Sequence, residues 1–261
     1  FTVLPLADAA RQLADGQLPE LAACITFDDG YANNLDVALP ILRRHGLTAT
    51  VFVATGLLGN GYMFNDTIIE SMRACQTPRL DLSALDLGHV DLGDNAARAA
   101  AAGRLIERFK YEPQAERTEY AARIAERAGL TEPPRLMMTP DELRRLHAAG
   151  IDIGAHTVSH PILTQLSATE AQEEIDASRG MLTDLLGSAP QTFAYPNGQP
   201  GQDYGPAHVE MVRNAGFACA VSTAARCATG SDDPFELPRV TIWSATSAKL
   251  TANLVRLYMS G

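Results

Sequence analysis

The sequence predicts an α/β fold in which a parallel sheet is wrapped by helices, and three observations carry that expectation. Short runs rich in β-branched and aromatic residues alternate with helix-length amphipathic stretches, the strand–helix–strand grammar that builds parallel sheets. Polar and turn-forming residues gather directly after several of the strand-like runs. The 261 residues, 46% hydrophobic and 20% charged, suffice for one large core, as a single α/β barrel or as one domain with an insertion.

Taken in order, AACITF (22–27) has the content of a buried strand, and Asp28, Asp29 and Gly30 fall where that strand opens into a loop. Asn34 to Gly46 reads as a helix closed by basic residues and a glycine stop, and LTATVFVAT follows as a strand. Between Leu58 and about Pro134 the rhythm breaks into short Leu/Asp-rich segments and a pair of Ala/Arg/Glu-rich helical segments, which we read as an insertion over 58–134. The alternation then returns: TPDELRRLHAAG precedes IDIGAHT, LSATEAQEEIDASRGMLTDLLG precedes QTFAYPNG, and PAHVEMVRNAGF precedes ACAVST. Ser167 with Glu170 three residues on matches a capping box at the start of the longest of these helices. A last apolar run, FELPRVTIW, is read as a strand that Arg239 enters and that ends near Trp243.

A formal net charge of -10 argues against a nucleic-acid partner, whose phosphates need a basic surface. No apolar run approaches the roughly 20 residues that span a bilayer. The chain opens on FTVLPLADAARQLADG, without an initiator Met or a signal-peptide pattern, so a processed or trimmed segment is expected and both cytoplasmic and exported locations stay open. Cys24, Cys75, Cys219 and Cys227 lack paired CxxC spacing, and Cys24 and Cys219 sit in strand-like runs as small hydrophobes.

The ordinary reading of a lone DDG is a solvated turn, because adjacent carboxylates repel unless a cation sits between them or one keeps its proton. GAHTVSHP alters that reading. His156 ends the strand IDIGA, and His160 stands immediately before Pro161, which biases it away from helical geometry in a strand-end loop on the same rim as Asp28 and Asp29. Two imidazoles and one carboxylate suit a divalent transition metal with positions left for water and substrate. FAYPNGQPGQDYG supplies a rigid turn whose backbone N–H groups are suited to a developing negative charge, and Arg239 of LPRV is a cation suited to a carboxylate partner on that rim.

In order along the chain, TFDDG, HTVSHP, FAYPNG and LPRV resemble the motif series of the polysaccharide deacetylases of the NodB-homology group, carbohydrate esterase family 4. The resemblance spans nearly the whole chain outside the insertion. It implies one domain over 1–261 with a distorted (β/α)7 barrel and a mainly helical insertion. The implied activity is metal-dependent removal of acetyl groups from an acetylated glycan, most often N-acetylated amino sugars, by attack of metal-bound water. Residue by residue, it implies Asp29, His156 and His160 as ligands of zinc, or of cobalt or nickel, Asp28 as the general base, and Asn197 as the residue offering a backbone N–H to the oxyanion.

Two departures stand out. The position where many members carry an arginine that steadies the base aspartate is Ala194, and Arg239 is expected to take over that pairing. The late motif ending in histidine is missing, and none of His45, His89, His147 and His208 is assigned as general acid. A glycoside hydrolase using two carboxylates needs them about 5 Å or more apart across the bond, and it leaves the histidines idle. A catalytically degenerate carbohydrate-binding member is the remaining alternative, supported by Ala194 and the missing acid.

Overall fold

The computed structural model of the chain describes residues 1–241 and 246–259. Two compact units emerge, one formed by 1–59 with 137–261 and the other by 60–136. The first contains β1 (Thr2–Val3), α1 (Leu6–Ala14), β2 (Ala22–Ala23), β3 (Thr26–Phe27), α2 (Leu39–Arg44) and β4 (Thr50–Val53). The second contains α3 (Phe64–Ala74), β5 (Arg79–Asp81), β6 (His89–Asp91), α4 (Asn95–Phe109) and α5 (Gln114–Ala128). The chain then returns to the first with α6 (Pro140–Ala148), β7 (Asp152–Ala155), α7 (Ala168–Leu186), β8 (Thr192–Ala194), α8 (Pro206–Asn214), β9 (Cys219–Val221) and α9 (Ser247–Met259).

In the first unit β3, β4, β7, β8 and β9 form a parallel sheet in that order. Its side chains alternate between two cores. Val51, Val53, Ile153 and Phe193 pack outward with Leu143, Leu146, Ile175 and Leu182 from the surrounding helices. Phe52, Ala194, Cys219 and Val221 pack inward with Leu6 and Ala10 of α1 and with Leu237. Strands buried on both faces read as apolar runs without alternation, which is why TVFV carries no polar face. Gly154 pairs with Phe52 in the register, and a Cβ there would lie 2.4 Å from the Phe52 ring and 2.6 Å from Thr192 Oγ1. The missing side chain of Gly154 is therefore what lets the Phe52 ring fill the interior.

The α/β barrel class expected from the sequence is the one the chain adopts, as a curled half-barrel. Leu237 forms a parallel bridge with Val221 of β9, and Arg239 reaches Thr26 and Asp28 at the opposite edge of the sheet. The strand expected for FELPRVTIW is reduced to that bridge, and residues 238–241 are not extended into a ladder. The Ser222 carbonyl, which a continuing ladder would offer to the Arg239 N–H, accepts Arg239 Nε instead, so pairing stops after Leu237; Trp243 lies outside the described residues. The helix expected from Asn34 to Gly46 begins as a wide π-turn over Asn34–Ala38, with the Leu39 N–H reaching Asn34 O, and becomes α-helical from Leu39. Pro40, which cannot donate to the carbonyl of Asp36, explains the change of winding.

The capping box at Ser167 and Glu170 forms as read: Ser167 Oγ accepts the Glu170 N–H at 3.3 Å and Glu170 Oε2 accepts the Ser167 N–H at 2.9 Å. In the second unit, Ile68, Met72, Leu105, Phe109 and Ile124 of α3, α4 and α5 share a core with Leu80, Leu82 and Leu92. Arg98 donates to the carbonyls of Met72 and Cys75, closing the end of α3.

Candidate metal centre

Three strand ends build the site. β3 stops at Phe27, and the backbone then enters the left-handed region at Asp29 (φ 76°) and Gly30 (φ 90°), so the two aspartates leave the strand in different directions. β7 stops at Ala155, and Thr157 (φ 65°) and His160 (φ 56°) turn the following loop. β8 stops at Ala194, and Asn197 (φ 60°) turns the third. Left-handed backbone is uncommon outside glycine, and a β-branched residue there is an outlier that costs on the order of 1–3 kcal/mol. Among the described residues, four of the six non-glycine residues with this geometry stand in these three loops. Such strain persists only where surrounding bonds fix the loop.

Those bonds are visible around His156 and His160. Thr157 Oγ1 accepts the His160 N–H at 3.1 Å and donates to the His156 carbonyl. The N–H groups of Thr55 and Gly56 donate to the carbonyls of Thr157 and Val158 at 3.1 and 2.9 Å. A Cβ on Gly56 would come within 2.9 Å of the Val158 side chain. Pro161 keeps His160 out of the right-handed helical region as expected, but by a left-handed rather than an extended backbone.

Asp29 Oδ1 lies 3.5 Å from Nε2 of His156 and 3.5 Å from Nε2 of His160. The three donor atoms all fall within 4.8 Å of one another. Those separations exceed the usual 2.7–3.2 Å span of hydrogen bonds to oxygen. The two Asp29 separations are those of donor atoms able to share one ion, since metal–donor bonds of about 2.1 Å set neighbouring donors about 3–4 Å apart. The imidazole Nδ1 of His156 donates to the carbonyl of Ala194 at 2.7 Å, which leaves the lone pair of Nε2 facing Asp29 and His160. Burial alone would push the His156 imidazole down, yet the Asp29 and Asp28 carboxylates outweigh it and hold the ring above its ordinary value. This pocket favours positive charge, and its donor set fits a divalent metal.

Asp28 has a different partner. Arg239 Nη1 and Nη2 grip its two oxygens at 2.7 and 2.9 Å, a bidentate pair. The guanidinium also donates to Thr26 Oγ1 at 3.2 Å and through Nε to the Ser222 carbonyl at 3.0 Å, and it lies over the Phe52 ring at 5.5 Å. Burial would raise the Asp28 carboxyl, but Arg239, with His156 and His160, holds it below the usual carboxylate range. Asp28 is therefore an ionised carboxylate beside the cluster.

Of the residues singled out in the sequence, the fold thus brings together Asp29, His156 and His160 as one cluster and Asp28 with Arg239 as an adjoining pair. Asn197 stands at the end of β8, its carbonyl accepting from Thr223 Oγ1 at 2.9 Å. His147 bonds the Ile151 carbonyl at 3.4 Å, His208 Nδ1 accepts the Gly205 N–H at 3.0 Å, and His45 closes α2. Three contributors escaped the sequence reading: the Ala194 carbonyl that orients His156, the Thr26 hydroxyl beneath Arg239, and Glu174 of α7, which binds the loop between the histidines. A carbonyl has no residue type to reveal it, and the Glu174 position follows only from how α7 docks.

The sequence profile described as "Polysaccharide deacetylase" matches residues 15–220. The Bacillus subtilis (strain 168) protein named "Putative polysaccharide deacetylase YxkH" is 27% identical over 93 residues, 35% of this chain and 32% of that one. The matched segment is thus about a third of that relative's length. Among solved structures, the Streptococcus pyogenes deacetylase PplD in complex with acetate aligns over 98% of this chain and 79% of its own, with 20% identity and a TM-score of 0.62. IcaB from Ammonifex degensii aligns over 98% and 93%, with 17% identity and a TM-score of 0.59. A de-N-acetylase from Aggregatibacter actinomycetemcomitans aligns over 97% and 83%, with 13% identity and a TM-score of 0.56. At these identities the structural likeness speaks for the fold.

Proposed function

The chain belongs to the polysaccharide deacetylase family, and from that premise we propose that it is a metal-dependent deacetylase acting on N-acetylated amino sugars of a polysaccharide or surface-glycan precursor. The observation that carries this reading is the pairing of a ligand set, Asp29, His156 and His160, with an ionised neighbouring carboxylate, Asp28, whose two oxygens Arg239 grips. The solved relatives support the choice of bond, since one is described as bound to acetate and another as a de-N-acetylase. Among the described residues no helix is long and apolar enough to cross a membrane.

A divalent metal held by Asp29, His156 and His160, most simply zinc with cobalt or nickel as substitutes, supplies Lewis acidity toward water and toward the acetyl carbonyl oxygen. The chain's own residues supply the rest. Asp28, ionised at neutral pH, accepts the proton that the attacking water gives up. Arg239 fixes the orientation of that carboxylate and keeps it deprotonated until it is needed. His156 is aimed by the Ala194 carbonyl, and the left-handed turn at Asn197 offers a backbone N–H toward the negative charge that grows on the acetyl oxygen. The bidentate Arg239–Asp28 pair also removes one support of a binding-only reading, because the part expected of an arginine at position 194 is filled from another strand end.

The test is to measure bound metal by elemental analysis and acetate release from N-acetylglucosamine oligomers before and after chelation. We expect a single metal per chain and release that chelation abolishes and zinc or cobalt restores. A fully folded protein that takes up no metal, or acetate release indifferent to chelation, overturns the reading.

A further inference from the structure

The loop that carries His160 is held on its carbonyl side by Thr55 and Gly56, and on its amide side a side chain from another element binds it. Glu174 of α7 accepts the Val158 N–H at 2.7 Å and the Ser159 N–H at 2.9 Å through one oxygen, and the Ser159 hydroxyl at 2.6 Å through the other. Two consecutive amides and a hydroxyl therefore converge on one carboxylate. Ser159 directly precedes His160, so the tilt of its peptide sets where the His160 ring points. α7 is a firm base for this contact: Ala171 and Ile175, on either side of Glu174, are fully buried in the outer core, and the Ser167 capping box fixes the helix start.

We propose that Glu174 is a positioning residue for the metal centre, clamping the amides of Val158 and Ser159 so that His160 is presented to Asp29 and His156 in ligand geometry. The inference rests on the reading of those three residues as metal ligands. An ordinary loop tie would stabilise the fold and leave metal binding alone. A positioning role instead makes metal affinity depend on the length and acceptor capacity of this one side chain, since partners beyond the ligands themselves hold ligand geometry.

The experiment titrates Co(II) into metal-free wild type, E174A, E174Q and E174D, following visible absorption of the bound ion, with thermal unfolding of each metal-free protein as the check on folding. E174A is expected to bind Co(II) about 10- to 100-fold more weakly, the usual effect of removing such a partner, and to shift the absorption bands. E174Q, whose amide oxygen still accepts both backbone N–H groups, is expected to stay close to wild type. E174D, one methylene short, should fall between them. A folded E174A with wild-type affinity and spectrum overturns the proposal, and so does an E174Q as impaired as E174A, because placement would then not be what matters. If E174A fails to fold, E174D and S159A carry the test, and wild-type binding in both overturns it. A wild-type protein that binds no Co(II) overturns instead the metal reading, and this proposal with it.

Discussion

Replacing Arg239 with alanine removes both donors from the Asp28 carboxylate, along with bonds to Thr26 and the Ser222 carbonyl. The Arg239 side chain is 14% exposed and that of Asp28 32%. Breaking a fully buried pair by deleting one member costs about 3–5 kcal/mol; water reaches Asp28 in part, so we expect a loss near the lower end, about 3 kcal/mol. For a chain of this size that corresponds to a melting temperature about 6–12 °C lower. The sign of the pH effect follows from Asp28, whose carboxyl is held below its ordinary value in the fold. Its ionised form contributes stability that is fully present above the unfolded carboxylate value of about 3.9 and is lost as pH falls through the folded one. Without the guanidinium the main group opposing burial is gone, so the carboxyl rises and the acidic limb of kcat/KM moves to higher pH. Arg239→Lys keeps a charge but not the bidentate grip, and it should fall between wild type and alanine. The assay is acetate release across a pH series with thermal unfolding in parallel. Wild-type activity and an unmoved acidic limb in R239A would refute the assignment of Arg239 as the partner that steadies the base.

Asp29→Ala and His160→Ala are expected to abolish stoichiometric metal by elemental analysis, whereas Asp28→Asn keeps the metal and loses turnover by about 10²–10⁴-fold, the usual contribution of a general base; equal metal loss in all three would show the aspartate roles to be misassigned. Gly154→Ala forces a Cβ into the Phe52 ring and Thr192, and it should destabilise the fold by about 1–3 kcal/mol. Denaturant unfolding checks this, and an unchanged midpoint would mean that Phe52 has another rotamer available.

Strand–helix alternation and the residue types at strand ends were enough to read the barrel class and to gather Asp28, Asp29, His156 and His160 on one rim, because parallel strands deliver their C-terminal ends to a common edge. The limits of that reading are equally physical. Pro40 deletes a backbone donor, so the helix after the DDG loop starts as a π-turn, and the Arg239 side chain takes the Ser222 carbonyl, so the last strand shrinks to one bridge. Periodicity registers side-chain burial and is blind to both effects. The orientation of His156 depends on the carbonyl of Ala194, and a main-chain acceptor leaves no mark on residue type. Arg239 is expected as the partner of Asp28 because Ala194 leaves that place empty in the motif series, and the geometry of its two-pronged grip depends on how the two edges of the sheet approach each other.

That choice of partner explains how adjacent aspartates coexist. In an extended strand their side chains would point to opposite faces, and in an ordinary turn they would share solvent and repel. Here the strand ends between them and the backbone at Asp29 turns left-handed, so Asp28 meets a guanidinium while Asp29 meets two imidazoles. Each carboxylate has its own cationic or metal-binding partner, and the strain at Asp29 keeps the two from exchanging roles. A right-handed or extended Asp29 would carry its carboxylate away from this position, leaving the histidines without the anionic group that lies 3.5 Å from each. The left-handed residue is therefore the point at which one dipeptide is divided between the proposed metal ligand and the proposed base.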